Sequence, residues 1–342
     1  MITINNNMYV LDTDNTSYAF AVLGSGQLEH LYYGRKLHAN EAVMTEKHTF
    51  IPGNTNVYNK DYSSYSLEDV CLEMSSLGKG DIREPFIEVT YPNGSSTTDM
   101  VFDRAEIIQG KEEYDTLPGS YDDNGEVEQL VIYLKDRNYN LTLELHYYVY
   151  EKCDIITRSA KLVNSGNESV RLERLMSMQL DLNESDYELS FFNGAWAREM
   201  NRSRIPIRAG KYVNESVTGT SSNRANPFFM IGRSSTTEDY GECYGFNLIY
   251  SGNHYEAAQV NSYGKLRLVS GINPATFSYI IEAGKCFEAP EAVLTYSYKG
   301  YNRMSHNMHE FVRKHIVRGS WRDKERPVLI NSWEAVYFNI NE

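Results

Sequence analysis

The hydrophobic positions of the first 300 residues follow a period of two. Between residues 141 and 149, Leu141, Leu143, Leu145, Tyr147 and Val149 alternate with mostly polar neighbours. Shorter runs of the same kind occur at residues 130–134 and 156–162. Alternation of this kind is typical of strands with one buried face. Because such strands recur at short intervals, we predict a sandwich of antiparallel sheets.

Two turns rich in asparagine and glycine separate predicted strands. Pro92-Asn93-Gly94 follows the apolar run at residues 86–91, and residues 164–167 (NSGN) follow Lys161-Leu162-Val163. These residue types favour tight reversals of the chain. We therefore predict a β-hairpin at each turn. The segment from Thr116 to Glu128 is polar, and we expect it to be an exposed loop.

The period changes near residue 301. The apolar and aromatic positions now recur at helical spacing, and they are Met304, Met308, Phe311, Val312, His315 and Ile316. This spacing predicts an amphipathic α-helix. Gly319 suits a stop just beyond it, and Arg313, Lys314 and Arg318 suit the negative end of the helix dipole.

A short apolar run follows at residues 328–330. Val328, Leu329 and Ile330 come after a proline, as in strands that are buried on both faces. Residues 331–334 (NSWE) would lie at the carboxyl end of that strand, where α/β folds carry their chemistry. The sequence offers this strand no partner of the same kind. We therefore expect the chain to be the front part of a larger enzyme.

Composition excludes some classes of function. The formal net charge of −13 argues against a nucleic-acid partner. The 27 tyrosines suit sheet faces and can also stack on sugars, and composition alone leaves both roles open. The four cysteines form no C-x-x-C pair, and neither a secretion signal nor a membrane-spanning apolar run is present, so we expect free thiols in the cytoplasm.

Sequence motifs alone point to few catalytic residues. The common nucleophile, phosphate-loop and zinc-protease motifs are missing. His306 and His309 share a helical face, but no third ligand is evident, so we predict no metal site. The stretch from residue 185 to 229 is dense in Trp, Arg, Glu and Asn, which fits either a buried polar network between sheets or a ligand contact.

Many short segments, in order along the chain, resemble the N-terminal part of bacterial α-galactosidases of glycoside hydrolase family 36. The segments that carry the resemblance are Leu31–Gly34, Gly80–Pro85, Ile156–Ser159, Met176-Ser177, Asp186-Tyr187, Gly194–Glu199, Ser221-Ser222, Asn226–Phe228, Gly245-Phe246, Tyr250–Asn253, Pro290–Ala292, Met304-Ser305, His309, Arg326–Asn331, Trp333–Ala335 and Tyr337-Phe338.

The resemblance implies a fold and a division of the chain. It implies a mainly β protein, with a large antiparallel β-supersandwich at residues 1–300. A linking helix and connector at 301–325 and the first strand of a truncated (β/α)8 barrel at 326–342 follow. It also implies hydrolysis of terminal α-linked galactose from melibiose- and raffinose-type sugars, with retention and without a cofactor.

Site residues also come from the resemblance. The nucleophile, in a Lys-x-Asp motif, and the acid/base aspartate would lie beyond residue 342, so we expect the chain alone to be inactive. Trp333 matches a tryptophan that lines the galactose pocket, and we predict that it binds substrate. Relatives form tetramers, so we expect a homo-oligomer and hypothesise that the loop from Thr45 to Ser66, with Tyr58 and Tyr65, reaches a neighbour's sugar site.

Two other classes of function stay open. The chain could be a stand-alone carbohydrate-binding module that uses exposed tyrosine and tryptophan. It could also be an assembly domain whose only task is contact between subunits. Neither alternative requires hydrolysis, nucleic acid or a membrane.

Overall fold

Antiparallel β-strands are the main elements of the computed structural model, which describes residues 1–38, 56–63 and 66–341. The first ten strands, in chain order, are β1 Ile2–Asn5, β2 Met8–Asp12, β3 Thr16–Val22, β4 Leu28–Arg35, β5 Ile87–Thr90, β6 Met100–Gln109, β7 Glu128–Asp136, β8 Leu141–Tyr150, β9 Ile155–Asn164 and β10 Val170–Leu182. The later strands are β11 Glu188–Ala195, β12 Arg198–Pro206, β13 Gly210–Glu215, β14 Ala225–Gly232, β15 Cys243–Ile249, β16 His254–Val260, β17 Leu266–Ile272, β18 Tyr279–Ile281, β19 Cys286–Glu288 and β20 Glu291–Ser297. Two helices follow, α1 Gly300–His315 and α2 Trp333–Val336.

The strands form three sheets. The first has the order β1-β2-β3-β4. The second has the order β13-β16-β17-β10-β18, with β5 also paired to β10. The third and largest has the order β12-β11-β14-β15-β20-β9-β8-β7-β6, with β19 also paired to β9. Every strand-to-strand pairing in this topology is antiparallel, so the predicted sandwich is confirmed.

One hydrophobic core joins the three sheets. It contains Phe20 from β3, Leu180 from β10 and Leu143 from β8, all fully buried or nearly so. The alternation read from the sequence is visible in the burial of β8, where Leu141, Leu143 and Leu145 point inward. Burying apolar side chains on this scale is the dominant favourable contribution to folding.

The two predicted hairpins are wrong, although the chain does turn at both places. At Pro92-Asn93-Gly94 the turn forms, with Gly94 at φ +82°, but β5 pairs with β10 while β6 pairs with β7. At residues 164–167 the chain leaves β9 in the third sheet and enters β10 in the second. Turn residues favour a change of direction, whereas the partner of each strand is decided by core packing.

A buried carboxylate lies where the sheets meet. Glu73, in the loop between β4 and β5, is fully buried and accepts hydrogen bonds from the hydroxyls of Tyr18 and Tyr147, each at 2.7 Å. Nδ1 of His30 lies 2.7 Å from the same carboxylate, and the Arg158 guanidinium lies 3.1 Å from it. Burial alone would raise the pKa of Glu73, but the Arg158 charge and the hydrogen bonds lower it below its ordinary value.

Arg158 extends this network to the remaining sheet. It belongs to β9, it is 1% exposed, and it donates to the backbone carbonyls of Gln179 on β10 and of Glu73. Tyr18 and His30 belong to the first sheet, so one charge cluster contacts all three sheets. A buried charge is tolerated only when it is paired and hydrogen-bonded, as it is here.

Helix α1 confirms the predicted amphipathic segment. Tyr301, Met304 and Phe311 are buried against β15, β20 and their neighbours, whereas Val312 is 43% exposed. The first amides of the helix donate to carbonyls in the loop before β15: Gly300 to Gly241, Tyr301 to Thr237 and Asn302 to Glu238. These bonds satisfy backbone donors that a helix N-terminus otherwise leaves without partners.

The first barrel strand predicted at residues 326–342 is not formed in the structure, where Trp333–Val336 form helix α2. Val328, Leu329 and Ile330 are exposed, and the backbone of residues 326–332 belongs to no sheet. A strand is stabilised by backbone hydrogen bonds to a neighbour. None of the sheets in the described part of the chain includes a strand from this segment.

We predict that Gly300→Ala destabilises the protein far more than Gly264→Ala. Both glycines have φ +75°, where a Cβ costs roughly 1–2 kcal/mol. At Gly300 the added Cβ would also lie 2.5 Å from the Glu238 carbonyl oxygen and 2.5 Å from the Tyr240 amide nitrogen, whereas at Gly264 it would meet nothing within 4 Å. Urea unfolding of both variants measures the difference. Equal losses of unfolding free energy in the two variants would contradict the close packing of the α1 N-terminus on the loop before β15.

Candidate functional site

Trp333 begins the short helix α2 and is only half-buried. Its indole packs edge-to-face on Tyr337, with ring centroids 5.2 Å apart, and on Phe338, at 4.9 Å. The Trp333 amide donates to the side-chain oxygen of Asn331 at 2.9 Å. The structure therefore holds Trp333 by local contacts within residues 331–338.

The surroundings of Trp333 are apolar and open. Leu329 is 83% exposed and Phe338 is 86% exposed, and Val328, Ile330 and Ile340 are exposed as well. Among the described residues, the hydrogen bonds of residues 327–341 all stay within that segment. A segment that exposes this many apolar side chains to water is typical of a surface that packs against other apolar groups.

The connector that precedes this segment is held by the loop from Thr116 to Glu128, which was predicted to be exposed. Within that loop Tyr121 is buried: its amide donates to the His315 carbonyl at 2.9 Å and its hydroxyl to the Val317 carbonyl at 2.9 Å. Nδ1 of His315 lies 3.1 Å from the Tyr121 carbonyl oxygen. The expectation of an exposed loop is therefore wrong for Tyr121, because it packs on the end of α1.

Two arginines continue the attachment beyond α1. Arg318 donates to the Gly119 carbonyl and lies over the Tyr121 ring, 4.5 Å from its centroid. Arg322 donates to the Tyr121 hydroxyl and to the Asp123 carboxylate, each at 3.2 Å. Residues 317–322 are thus docked on the sandwich, whereas the hydrogen bonds of residues 327–341 are local.

A buried ion pair anchors the loop to β20. Glu291, at the first position of β20, accepts from the Lys111 ammonium at 3.0 Å, from the Ser120 amide at 2.7 Å and from the Ser120 hydroxyl at 2.6 Å. Burial lowers the pKa of Lys111, and the Glu291 charge partly offsets that effect. Sequence reasoning missed this cluster because Lys111 and Glu291 are 180 positions apart.

The Lys-x-Asp pattern that the resemblance assigns to the nucleophile also occurs twice within this chain. In the first, Asp81 pairs with Arg83 and Arg267. In the second, Asp154 accepts from Asn15 and pairs with Arg303. Both aspartates are therefore used inside the sandwich, as structural partners of arginines.

The remaining acidic and histidine candidates also make local contacts within the fold. Asp122 accepts from the backbone amides of Glu126 and Val127 and thereby closes a turn. His306 and His309 share a helix face, with ring centroids 6.4 Å apart. Within residues 1–38, 56–63 and 66–341, no group of three His, Cys, Asp or Glu side chains is placed to hold a metal ion.

The hypothesis for the loop from Thr45 to Ser66 is contradicted at Tyr58. Tyr58 is buried in its own sandwich, packs with Leu67 and Val70, and donates its hydroxyl to Asp99 at 2.8 Å. A side chain held in this way faces its own core and does not reach a neighbour. Residues 45–55 and Tyr65 lie outside the described residues.

The dense stretch from residue 185 to 229 forms β11 to β14. Trp196 lies at the tip of the β11–β12 hairpin and is 92% exposed, so it is not part of a buried network. Asn214, in contrast, donates to the buried carboxylate of Glu256.

The four cysteines are all free. Within the described ranges no helix is long and apolar enough to cross a membrane.

Comparison with known proteins defines the class. The model of the glycosyl hydrolase family 36 N-terminal domain matches residues 26–282, and the melibiase model matches residues 286–342. The chain therefore belongs to glycoside hydrolase family 36, within which it matches the N-terminal portion of α-galactosidases.

Individual relatives are enzymes of this kind. The chain is 38% identical over 338 residues to α-galactosidase AgaA of Geobacillus stearothermophilus. This alignment covers 97% of the present chain and 46% of AgaA. The crystal structure of the α-galactosidase from Lactobacillus brevis matches with a TM-score of 0.93 and 37% identity, over 99% of this chain and 46% of that one. The structure of AgaB from Geobacillus stearothermophilus matches with a TM-score of 0.93 and 35% identity, over 100% of this chain and 47% of AgaB. The chain thus spans about half the length of these relatives.

We predict that Tyr121→Phe loosens residues 316–323 without unfolding the sandwich. The change removes the hydroxyl that donates to Val317 and accepts from Arg322. Hydrogen exchange in residues 316–323 should accelerate, while the global free energy of unfolding falls by only about 1 kcal/mol.

Tyr133→Phe is the matched control, because the Tyr133 hydroxyl makes one hydrogen bond, to Glu106 on β6. Its exchange in residues 316–323 should equal that of the unmodified chain. Unchanged exchange in Tyr121→Phe would show that the loop does not hold the connector.

Proposed function

We propose that residues 1–342 serve as the N-terminal domain of an α-galactosidase. Such an enzyme would hydrolyse terminal α-linked galactose from melibiose- and raffinose-type sugars with retention of configuration. The observation that carries the proposal is the succession of two family-model matches, which continues through the melibiase region to residue 342. The sandwich that precedes this region has the fold of solved α-galactosidases.

We propose that the chain has three parts. Residues 1–300 are the β-supersandwich, 301–325 the linking helix and connector, and 326–342 the first strand of a catalytic (β/α)8 barrel. The exposure of Val328, Leu329 and Ile330 supports the last part. Barrel strands are buried on both faces, so this run would be covered once strands lie on either side of it.

Trp333 is the residue that we propose for substrate binding. It lies three residues after the apolar run at residues 328–330, toward the carboxyl end, where barrel enzymes place their sites. Trp333 is 45% exposed, so part of its surface is accessible to a ligand. An aromatic ring of this kind packs on the apolar face of a sugar and excludes water from it. Variants of AgaA have been solved in complex with stachyose and with raffinose.

The catalytic carboxylates are proposed to lie outside residues 1–342. A retaining glycosidase needs two carboxyl groups about 5–5.5 Å apart on either side of the scissile bond. Asp81 and Asp154, from the two Lys-x-Asp triplets, are both paired with arginines in the sandwich. We expect no metal or organic cofactor, because the two carboxyl groups suffice for this chemistry.

The assembly and the compartment are proposals of the same kind. We expect a homo-oligomer with α-galactoside sugars as its ligands. We place the protein in the cytoplasm, where an exposed thiol such as Cys286 stays reduced.

We predict that the 342-residue chain alone does not release the chromophore from a chromogenic α-galactoside. A chimera that joins residues 1–342 to the part of AgaA beyond its matching 46% should hydrolyse raffinose. In that chimera Trp333→Ala should lower kcat/KM about 10- to 100-fold, as expected when a buried aromatic contact with the substrate is lost.

Trp196→Ala is the control in the same chimera, because Trp196 lies at an exposed hairpin tip. Its kcat/KM should stay within about twofold of the unmodified chimera. Turnover by the isolated chain would overturn the proposed division of labour. An unchanged kcat/KM in Trp333→Ala would overturn the role of Trp333.

A further inference from the structure

Three Asn-Gly pairs occur in the chain, at residues 93–94, 124–125 and 193–194. In such a pair the backbone nitrogen of the glycine can attack the side-chain carbonyl carbon of the asparagine and close a five-membered ring. The two groups belong to neighbouring residues, and glycine has no Cβ to hinder the approach. In a folded protein the attack also requires that neither group is held by other contacts. The three pairs differ in this respect.

The pair at residues 93–94 is exposed but held by hydrogen bonds. Nδ2 of Asn93 donates to the Tyr139 hydroxyl at 3.1 Å, and Oδ1 accepts from the Ser95 amide at 3.0 Å. The attacking nitrogen, in Gly94, donates to the Tyr91 carbonyl at 2.9 Å. Ring closure would have to break these bonds, so the fold protects this pair.

The pair at residues 193–194 is fixed within the third sheet. Asn193 lies in β11, where it is paired with Asn201 of β12 and with Ala225 of β14. Its Nδ2 donates to the Arg224 carbonyl at 2.9 Å. Extended backbone with a strand on either side cannot fold back on its own side chain, so this pair is protected as well.

The pair at residues 124–125 has neither restraint. Asn124 and Gly125 are exposed, in the loop between β6 and β7. In the part of the chain that the structure describes, neither the Asn124 side chain nor the Gly125 amide nitrogen has a hydrogen-bond partner. A Cβ added at Gly125 would meet nothing within 4 Å. The space in which the ring would close is therefore open.

We propose that Asn124 is a site of spontaneous deamidation in the folded chain. The Gly125 nitrogen loses its proton and bonds to Cγ of Asn124, while the bond from Cγ to Nδ2 breaks and Nδ2 leaves as ammonia with that proton. Water then opens the succinimide. Attack at Cγ gives aspartate, and attack at the backbone carbonyl carbon gives isoaspartate. Water is the only co-reactant, and nothing is oxidised or reduced. The inference goes beyond the proposed hydrolytic function and does not depend on it.

Isoaspartate would alter the loop that docks the connector. Asp122 closes the turn around residue 124 by accepting from the backbone amides of Glu126 and Val127. Isoaspartate adds one carbon to the main chain inside this turn, so the distances that these bonds require change. Asp123, in the same turn, accepts from Arg322 of the connector at 3.2 Å. Deamidation should therefore loosen the attachment of the connector to the sandwich.

Incubation of the 342-residue chain at mildly alkaline pH, followed by peptide mass mapping, tests the proposal. The peptide that contains Asn124 should gain the mass of an NH₂-to-OH replacement at least about tenfold faster than the peptides with Asn93 and Asn193, because those residues must first lose hydrogen bonds. Equal rates in the folded chain, or no mass gain at Asn124, would overturn the proposal.

The same measurement in urea separates the effect of the fold from that of the neighbouring residues. Unfolding removes the restraints on Asn93 and Asn193, so the three rates should converge. If Asn124 kept its full advantage in urea, the local sequence would set the difference between the pairs. The structural argument would then be wrong.

Asn124→Gln is the matched control, because glutamine would have to close a six-membered ring, which forms more slowly. After the same incubation, the variant should show no mass gain at this position. Hydrogen exchange in residues 316–323 should be faster in the incubated natural chain than in the incubated variant. Equal exchange in the two proteins, once Asn124 has been converted, would contradict the loosening of the connector.

Discussion

The buried pair of Glu73 and Arg158 is the interaction on which the rest of the structure depends. Glu73 is surrounded by donors from the first and third sheets, and Arg158 reaches from the third sheet to a carbonyl of the second. Neither charge is exposed by more than 1%. A carboxylate this far from water is stable only with its full set of partners. The pair therefore specifies how the sheets lie against one another as well as holding them together.

The chain has two parts that differ in how their apolar groups are covered. Residues up to Phe311 contribute to closed cores, whereas Leu329 and Phe338 lie in water. The Tyr121 loop marks the border, because it docks the connector, whereas the hydrogen bonds of the described residues 327–341 stay within that segment. Under the function proposed above, the sandwich would present the segment with Trp333 to the catalytic part of the enzyme.

The sequence predicted the local features well and the distant contacts poorly. Alternation at Leu141–Val149 and helical spacing from Met304 to Ile316 depend on neighbours a few positions away, and both matched the structure. The hairpins failed because Gly94 favours a turn but does not choose a partner strand. The Lys111–Glu291 pair combines residues far apart in the chain. The role of Trp333 was predicted from family resemblance, because no spacing rule singles this residue out.

A double-mutant cycle with Glu73→Gln and Arg158→Met, measured by urea unfolding, tests the central claim most directly. Each single change leaves one buried charge without its partner and should cost about 3–5 kcal/mol of unfolding free energy. The double variant contains neither charge, so we predict that it loses at least about 2 kcal/mol less than the sum of the single losses. Losses that add to within about 0.5 kcal/mol would contradict the account, because they would show that the two charges do not stabilise each other.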